Sequence, residues 1–446
     1  MKTSSRTLLL LLAFAAGLVA AAPLAAQVEV VSPQAGVEVT GKIEVEARVL
    51  PPDDVRLDRI VVQADTGEQI HMAPKFAGTY VATLDTARLK NGRQTLLVLA
   101  APKGMDASRF KHEDNAWSSP IRNYTAEVEV VVRNPYQFYW GDLHAHTSYS
   151  DGARVPKEAY EYARDKANLD FFAVTDHCQL LTFDEYADVI AQADATDSPG
   201  RFVALYGCEV TEGTGHLNYY MGPTPRLPSR LDATLQTIGR MSLLGHFNHP
   251  NLKSPPEQGW RDDFEGFHYV PQADRSMALV ELRSPGEEQA YIAMLNAGWH
   301  VGAAGCQDTH DANWGNGSTW TVALARQLSR EGILEALWSR RTYSAADRNV
   351  RLTFTLDGED MGAQLVRKAG VLSGVVAVSD PDASDAITAI DLFVDGRVLS
   401  SARPNLTSYA WSAQVNLPPG KHYCFVRITQ TGNRITWSSP IWVSTY

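Results

Sequence analysis

Two hydrophobic periods alternate along the chain. From Gln27 to about Arg133, apolar residues recur at every second position in short runs: "KIEVEARV", "DRIVVQA", "TYVATL", "QTLLVLAAP" and "TAEVEVVV". Breakers such as "PPDD", "DTGE" and "KNG" separate them. Strand side chains point to opposite faces in turn, so this pattern predicts a small Ig-like β-sandwich over 27–133. Asn91-Gly92 has the residue types of a hairpin turn. The same style returns near the other end in "RLTFTLDG", "LSGVVAVS", "AIDLFVDGRVL", "SYAWSAQVNL" and "HYCFVRITQTGNRITWSS". A second β-sandwich domain is therefore expected over 350–446.

Between these stretches the period lengthens to that of a helix. "PKEAYEYARDKANLDFFAVTDH" is an amphipathic helix running into a buried apolar strand, and "EEQAYIAMLNAGWHVGAAGCQDTH" and "SREGILEALWSRR" repeat the scheme. Alternating helices and strands over 134–349 predict an α/β domain built on a parallel sheet or barrel. Its chemistry should lie at the C-terminal ends of the strands.

The first 26 residues follow neither period. Lys2 and Arg6 precede the apolar run "LLLLLAFAAGLVAAA" and the small-residue segment "PLAAQ", which reads as a signal peptide cleaved after Ala26. No later segment has the ~20 apolar residues of a membrane span. The expected product is periplasmic or secreted.

Composition changes this picture little: 446 residues with 44% hydrophobic and 20% charged positions argue for packed domains and against extensive disorder. Charge excludes more. The net value of -11, about -13 once Lys2 and Arg6 are removed, repels polyanions and argues against a general nucleic-acid binder. The four cysteines, Cys178, Cys208, Cys306 and Cys424, lack the close spacing of a disulfide framework. The first three lie beside candidate site residues and are expected to be small buried packing residues.

Nine of the twelve histidines fall between 144 and 310, where an even scatter would put about 4 to 5. His144 and His146 stand two apart, so one strand end can offer both imidazoles to one centre, and Asp308 and His310 repeat that spacing. Asp151, His177, Glu209, His216 and His249 each follow an apolar segment or lie in the loop after it. Imidazole and carboxylate together suit Zn, Fe, Mn or Ni better than Mg or Ca. So large a set exceeds the three or four protein ligands of one zinc and implies two or three ions, with Glu209 suited to bridge. Ions so clustered activate water for hydrolysis. His249, extended by the following Pro250, is favoured over His246, which is assigned to packing or support. Asp176 is read as structural, and His268 and His300 receive no role. Arg283, in "ELRSPGEE", could grip a substrate oxygen or sit in a surface salt bridge. Trp260, Phe267, Tyr269 and Trp314 could line a substrate pocket or pack locally.

In this order, "DLHAHTSYSDG", "AVTDH", "GCEVT", "GHLNYY", "NHP" and "CQDTH" resemble the PHP superfamily of metal-dependent phosphoesterases, named for polymerase and histidinol phosphatase. The glycine-aspartate opening, "GHLNYY" and the closing "RRTYSA" are most similar to CehA/McbA-type metallohydrolases. The resemblance covers about 140–348. It implies a distorted (β/α)7 barrel, flanked here by N- and C-terminal β-sandwich domains. The matching ligand positions are His144, His146, Asp151, His177, Glu209, His216, His249, Asp308 and His310. The resemblance groups them as His144, His146, Glu209 and Asp308 on one ion, Glu209, His216 and His249 on a second, and Asp151, His177 and His310 on a third. The expected activity is hydrolysis of a small-molecule phosphoester by water activated on two or three divalent manganese, zinc or iron ions, with His144, His146, Glu209, Asp308 and His310 carrying the chemistry. Two rivals stand beside it. The same site would serve a carbonyl ester, amide or carbamate, and a surface binding protein could hold structural metals.

Overall fold

The computed structural model describes residues 27–446 apart from 52, 54, 65–68, 87–88, 90–91, 105–123, 133, 229 and 253–261. The expected signal peptide, Asn91 of the expected hairpin turn and Trp260 lie outside the described residues. The chain divides into two compact units, one up to Pro135 and one from Tyr136 to Tyr446.

In the first unit, strands Gln27–Ser32, Lys42–Leu50, Thr79–Asp85 and Ala73–Phe76 form one sheet. Glu38–Val39, Thr125–Val132, Gly92–Pro102, Leu57–Gln63 and Gln69–His71 form the other. The alternation visible in the sequence is the alternation of burial. Val45, Ala47 and Val49 face inward from Lys42–Leu50 and share one core with Ile60, Val62, Val98 and Val130 of the second sheet. This is a two-sheet sandwich.

The second unit is mixed α/β. Strands Gln137–Asp142, Phe171–Val174 and Val203–Glu212 run parallel. Val203–Glu212 and Gly215–Tyr220 form a hairpin, which returns to Leu244–Phe247 antiparallel. Leu244–Phe247, Met277–Glu281 and Gly302–Ala304 are again parallel. On the other side of Gln137–Asp142, Trp320–Ala325 and Thr342–Ala345 add antiparallel. These central strands are buried on both faces, which is why they read as continuous apolar runs.

The ladder stays open where a complete (β/α)7 barrel would close. Gly302–Ala304 is its terminal strand. Side chains span the gap: Thr342 Oγ1 donates to the Ala303 carbonyl at 2.8 Å, and Ser439 Oγ accepts from the Ala303 amide at 2.9 Å.

Helices begin and end where side-chain chemistry dictates. Phe183–Thr196 starts with a reciprocal capping box between Thr182 and Glu185. Pro285–Ala297 starts at the Ser284 cap with Pro285 in its first turn and stops at Gly298, whose φ of 108° a β-carbon would strain.

The boundary expected at 349/350 does not interrupt the sheet. Thr342–Ala345 pairs antiparallel with Ile435–Ser438, which pairs in turn with Gly420–Gln430. Helix Pro285–Ala297 packs on the same C-terminal strands: Tyr291, Phe425 and Trp437 share a core, Arg427 bonds Glu288, and Trp437 Nε1 donates to Glu288. The C-terminal strands Arg351–Leu356, Gly370–Ser379 and Ser408–Leu417 lie in a separate sheet, whose core is shared with Val322, Tyr343, Leu392 and Val426 of the large one.

Candidate metal centre

All nine predicted donors converge at one end of the second unit's sheet. Glu209 is the centre of the group. It is buried near the end of Val203–Glu212, and five imidazoles surround it. His144 Nε2 and His216 Nδ1 lie 3.3 and 3.1 Å from Oε1, with His249 Nε2 at 3.6 Å. His146 Nε2 and His177 Nδ1 lie 3.3 and 3.0 Å from Oε2. Asn248 Nδ2 donates to Oε1 at 2.8 Å and fixes the carboxyl plane. Asp308 Oδ1 meets His144 Nε2 and His146 Nε2 at 3.3 and 3.1 Å. Asp151 meets His146, His177 and His310 at 3.4 to 3.5 Å.

Donor atoms within bonding reach of a common point form three sets: His146, Asp151, His177 and His310; His144, Glu209 and His249; and His144, His146 and Asp308. The grouping implied by the resemblance is close to this. It differs in that His146 is shared by two sets, His144 and His249 fall in one, Glu209 is absent from the set of His144, His146 and Asp308, and His216 belongs to none of the three. Mixed imidazole and carboxylate donors fit divalent transition ions.

Local structure explains the convergence. His144 and His146 follow the strand Gln137–Asp142 on extended backbone tied at both sides: His146 N–H donates to the Thr309 carbonyl and Thr175 N–H to the Ala145 carbonyl, both at 2.9 Å. The next turn folds back on His146. A β-carbon on Gly152 would lie 2.6 Å from the His146 carbonyl carbon, so only glycine allows the approach that puts Asp151 beside the imidazoles. Asp176 is structural, as expected. It accepts from Thr147 N, Thr147 Oγ1 and Ser150 Oγ at 2.5 to 2.6 Å and holds that turn. Asp308 has φ 53° and His249 φ 28°, two left-handed backbones at the centre. This corrects the extended conformation expected of His249 before Pro250. The His249 amide instead donates to Glu281 Oε2 at 2.8 Å, a bond that holds the turn.

Glu281 was not anticipated. It ends the buried strand Met277–Glu281 and accepts at 2.6 Å from His144 Nδ1, so that ring presents Nε2 to the centre. Its signal was a carboxylate closing the apolar run "MALV", the position Glu209 also takes near the end of "VALYGC". Asp262, also unforeseen, lies 3.5 Å from His249 Nδ1. Thr211 Oγ1 meets His177 Nδ1 at 2.8 Å, and the Asp308 carbonyl accepts from His310 Nδ1 at 3.0 Å. His246 is a buried support, bonded to the Tyr220 hydroxyl at 2.7 Å and pushed down to about pKa 3 chiefly by burial. His300 bonds Asp274 at 2.8 Å, outside the centre.

The electrostatics are those of a cation site. Burial by itself disfavours charge on every group. For His144 the carboxylates of Asp308, Glu209 and Glu281 outweigh burial and raise its pKa well above the usual imidazole range. His146 is raised to about 9 and His249 to about 10 in the same way. Burial would raise Glu209 and Asp308, yet the imidazoles, His144 foremost, hold both below the carboxylate range. Positive charge is what this cluster stabilises, and a divalent ion supplies it more compactly than several protons.

A cleft of about 440 Å³ opens onto the cluster, lined by His177, Glu209, His216, His249, Asp308 and His310. Arg283 also lines it, in a half-buried ion-pair cluster: Nε bonds Glu287 at 3.0 Å and Nη2 lies 3.6 Å from Glu281. Of the aromatic residues weighed for a pocket, the three that are described pack locally. Phe267 and Trp314 are buried, Tyr269 stacks edge-on against Trp299, and Trp314 Nε1 donates to the His146 carbonyl. The cysteine expectation fails for two of its three members. Cys178 and Cys208 pair as a disulfide behind His177 and Glu209, while Cys306 is free and buried as expected; Cys424 is likewise free and buried.

Residues 142–275 match the family model described as PHP domain. Among curated proteins, the chain is similar to one described as uncharacterized from Chlamydia pneumoniae, 29% identical over 379 residues, and to another from Chlamydia trachomatis serovar D, 21% identical over 380 residues. Each alignment covers 72% of this chain, and the chain spans 59% of the length of these relatives. Among solved structures, it is similar to a two-domain protein from Bacteroides vulgatus containing a predicted PHP-like metal-dependent phosphoesterase. That match is 15% identical, covers 67% of this chain and 92% of that one, and has a TM-score of 0.40. A fibronectin(III)-like module of Clostridium thermocellum CbhA matches 22% of this chain at 22% identity, covering 94% of that module with a TM-score of 0.15.

Proposed function

We propose that the PHP domain carried by residues 142–275 makes this protein a metal-dependent hydrolase whose substrates are small-molecule phosphoesters. One observation carries the reading: Glu209 and Asp308 sit among five and three imidazoles respectively, at the floor of a solvent-open cleft. Structural metal sites are closed and take about four ligands, whereas an open centre with more donors leaves room for substrate. This argues against the structural-metal reading. His144, His146, Asp151, His177, Glu209, His216, His249, Asp308 and His310 would hold two or three divalent ions of manganese, zinc or iron. Ions bound there would activate water and neutralise charge on the group being cleaved.

The chain's own residues supply orientation. Glu281 fixes the His144 ring, Thr211 and the Asp308 carbonyl fix His177 and His310, and Asn248 fixes Glu209, so the donors are set before substrate arrives. Arg283 lines the cleft with a guanidinium that Glu281 and Glu287 hold in place, a donor group for the oxygens of a phosphoester. Export belongs to the same proposal and is supported by the leader pattern of residues 1–26.

The test is metal analysis of the purified protein with a panel of aryl phosphates, esters and carbamates. Aryl phosphate turnover should disappear with chelation and return with manganese or zinc. Glu209→Gln should lower it by about 100-fold or more. Turnover of the carbonyl compounds alone would overturn the phosphoester assignment, and a fully metallated protein inert to the whole panel would overturn the hydrolase.

A further inference from the structure

A second group of acidic residues lies away from the PHP centre, where the C-terminal strands meet the mixed sheet. Asp347 follows the strand Thr342–Ala345, and Asp380 and Asp385 lie in the loop between Gly370–Ser379 and Ile387–Val394. Each is less than one-tenth exposed, and one oxygen from each falls within 4.8 Å of the others. Arg434 pairs with Asp347 and Asp385. Asp380 makes no direct ion pair with it among the described residues, though the Arg434 charge reaches it; its carboxylate accepts from the Asp382 amide and Gln430 Nε2, both at 2.8 Å. Three carboxylates against one guanidinium leave a formal charge of -2 in a buried place, which is costly unless compensated. Burial first, and then the neighbouring Asp347 and Asp385, raise the pKa of Asp380, the result expected of a carboxylate short of positive charge.

Independent of the acids, two neutral oxygens beside them have no hydrogen-bond donor. Gln430 is 1% exposed, its amide nitrogen is bonded to Asp380, and its Oε1 is buried without a partner. Asn349 gives its Nδ2 to Asp382 and leaves Oδ1 buried without a partner, in the cleft shared by Asp347, Asp385 and Arg434. A protein rarely buries acceptor atoms unpaired, and unpaired acceptors around excess negative charge are the arrangement a cation satisfies.

We infer that Asp347, Asp380, Asp385, Asn349 and Gln430 form a calcium site that joins the mixed sheet to the C-terminal strands. All its donors are hard oxygens, so it should leave zinc to the histidine centre. Calcium accepts six to eight oxygens in adaptable geometry, with water completing the shell. Magnesium demands a stricter octahedron and keeps its own water. Its expected effect is stability rather than turnover, because its donors come from three segments far apart in sequence.

The test uses the full chain, freed of metal and then loaded with zinc at the histidine centre. Equilibrium with calcium at about 1 mM, the weak end of known calcium modules, should add one calcium per chain and raise Tm by several degrees, with magnesium giving little. Asp380→Asn should lose both effects while keeping aryl phosphate turnover and a metal-free Tm at least equal to wild type. Asp385→Asn provides a second variant should the first fail to fold. Glu209→Gln should keep its calcium, which separates this site from the histidine centre. No calcium in the wild-type chain, or an undiminished calcium shift in a folded Asp380→Asn or Asp385→Asn variant, overturns the inference.

Discussion

The buried carboxylate Glu281 has a consequence that can be measured. It bonds His144 Nδ1 and the His249 amide, so it acts on metal through the placement of those two ligands. Glu281→Gln keeps the shape but weakens the hold on the ring and reduces its basicity. Metal affinity should fall by about 10- to 100-fold in a competition titration, and turnover should recover at excess metal. Protons compete for the same donors. In metal-free protein, His146 and His249 titrate near 9 and 10 despite burial, while an unfolded imidazole titrates near ~6.5. Folded pKa values above unfolded ones mean stabilisation that is complete below about pH 6.5 and lost as pH rises through both folded values. Glu209 and Asp308 have the opposite sign, with stabilisation complete above about pH 4 and lost on acidification. Chelated protein should therefore melt highest between those limits and lose Tm toward pH 10, in a scan of melting against pH. Metal binding displaces these protons, so affinity should tighten as pH rises over the same range. The nine donors were legible because each closes an apolar run or stands in the loop after one. Glu281 closes an apolar run as Glu209 does but has no histidine beside it in sequence to mark it, and Asp262 within "RDDFEG" has the same local pattern as a solvated residue.

At the scale of the element, the sequence states its own boundaries best where a cap is present. The Thr182–Glu185 box starts a helix six residues after His177. Thr182→Ala should cost about 1 kcal/mol in denaturant unfolding without changing turnover, because the box touches no donor. The disulfide is a contrary case. Cys178 and Cys208 are 30 residues apart and are brought together by the bridge between His177 and Glu209 at the ends of adjacent parallel segments. Spacing along the chain carries no trace of that register, which only the parallel pairing of Phe171–Val174 with Val203–Glu212 creates. Denatured, unreduced protein should titrate two thiols, Cys306 and Cys424, in a thiol-reactive dye assay. Four would refute the pairing.

At the scale of the molecule, the two β-rich ends were legible by class, while the continuity of the second one was not. Strands Thr342–Ala345 and Ile435–Ser438 are about 90 residues apart, and backbone pairing over that distance leaves no periodic mark. Their ladder, the Arg427–Glu288 ion pair and the shared core around Trp437 bind the PHP region and the C-terminal strands into one body. Calorimetry of residues 136–446 should show a single cooperative transition rather than one for each part.

That shared ladder also limits how the chain can be edited. Ending the polypeptide near residue 349 would strip Thr342–Ala345 of its neighbour and uncover a flat row of unpaired amides and carbonyls, beside a helix whose aromatic partners had also gone. An edge of that kind recruits other chains. The tail is thus the guard that keeps the half bearing the histidine centre from sticking to copies of itself.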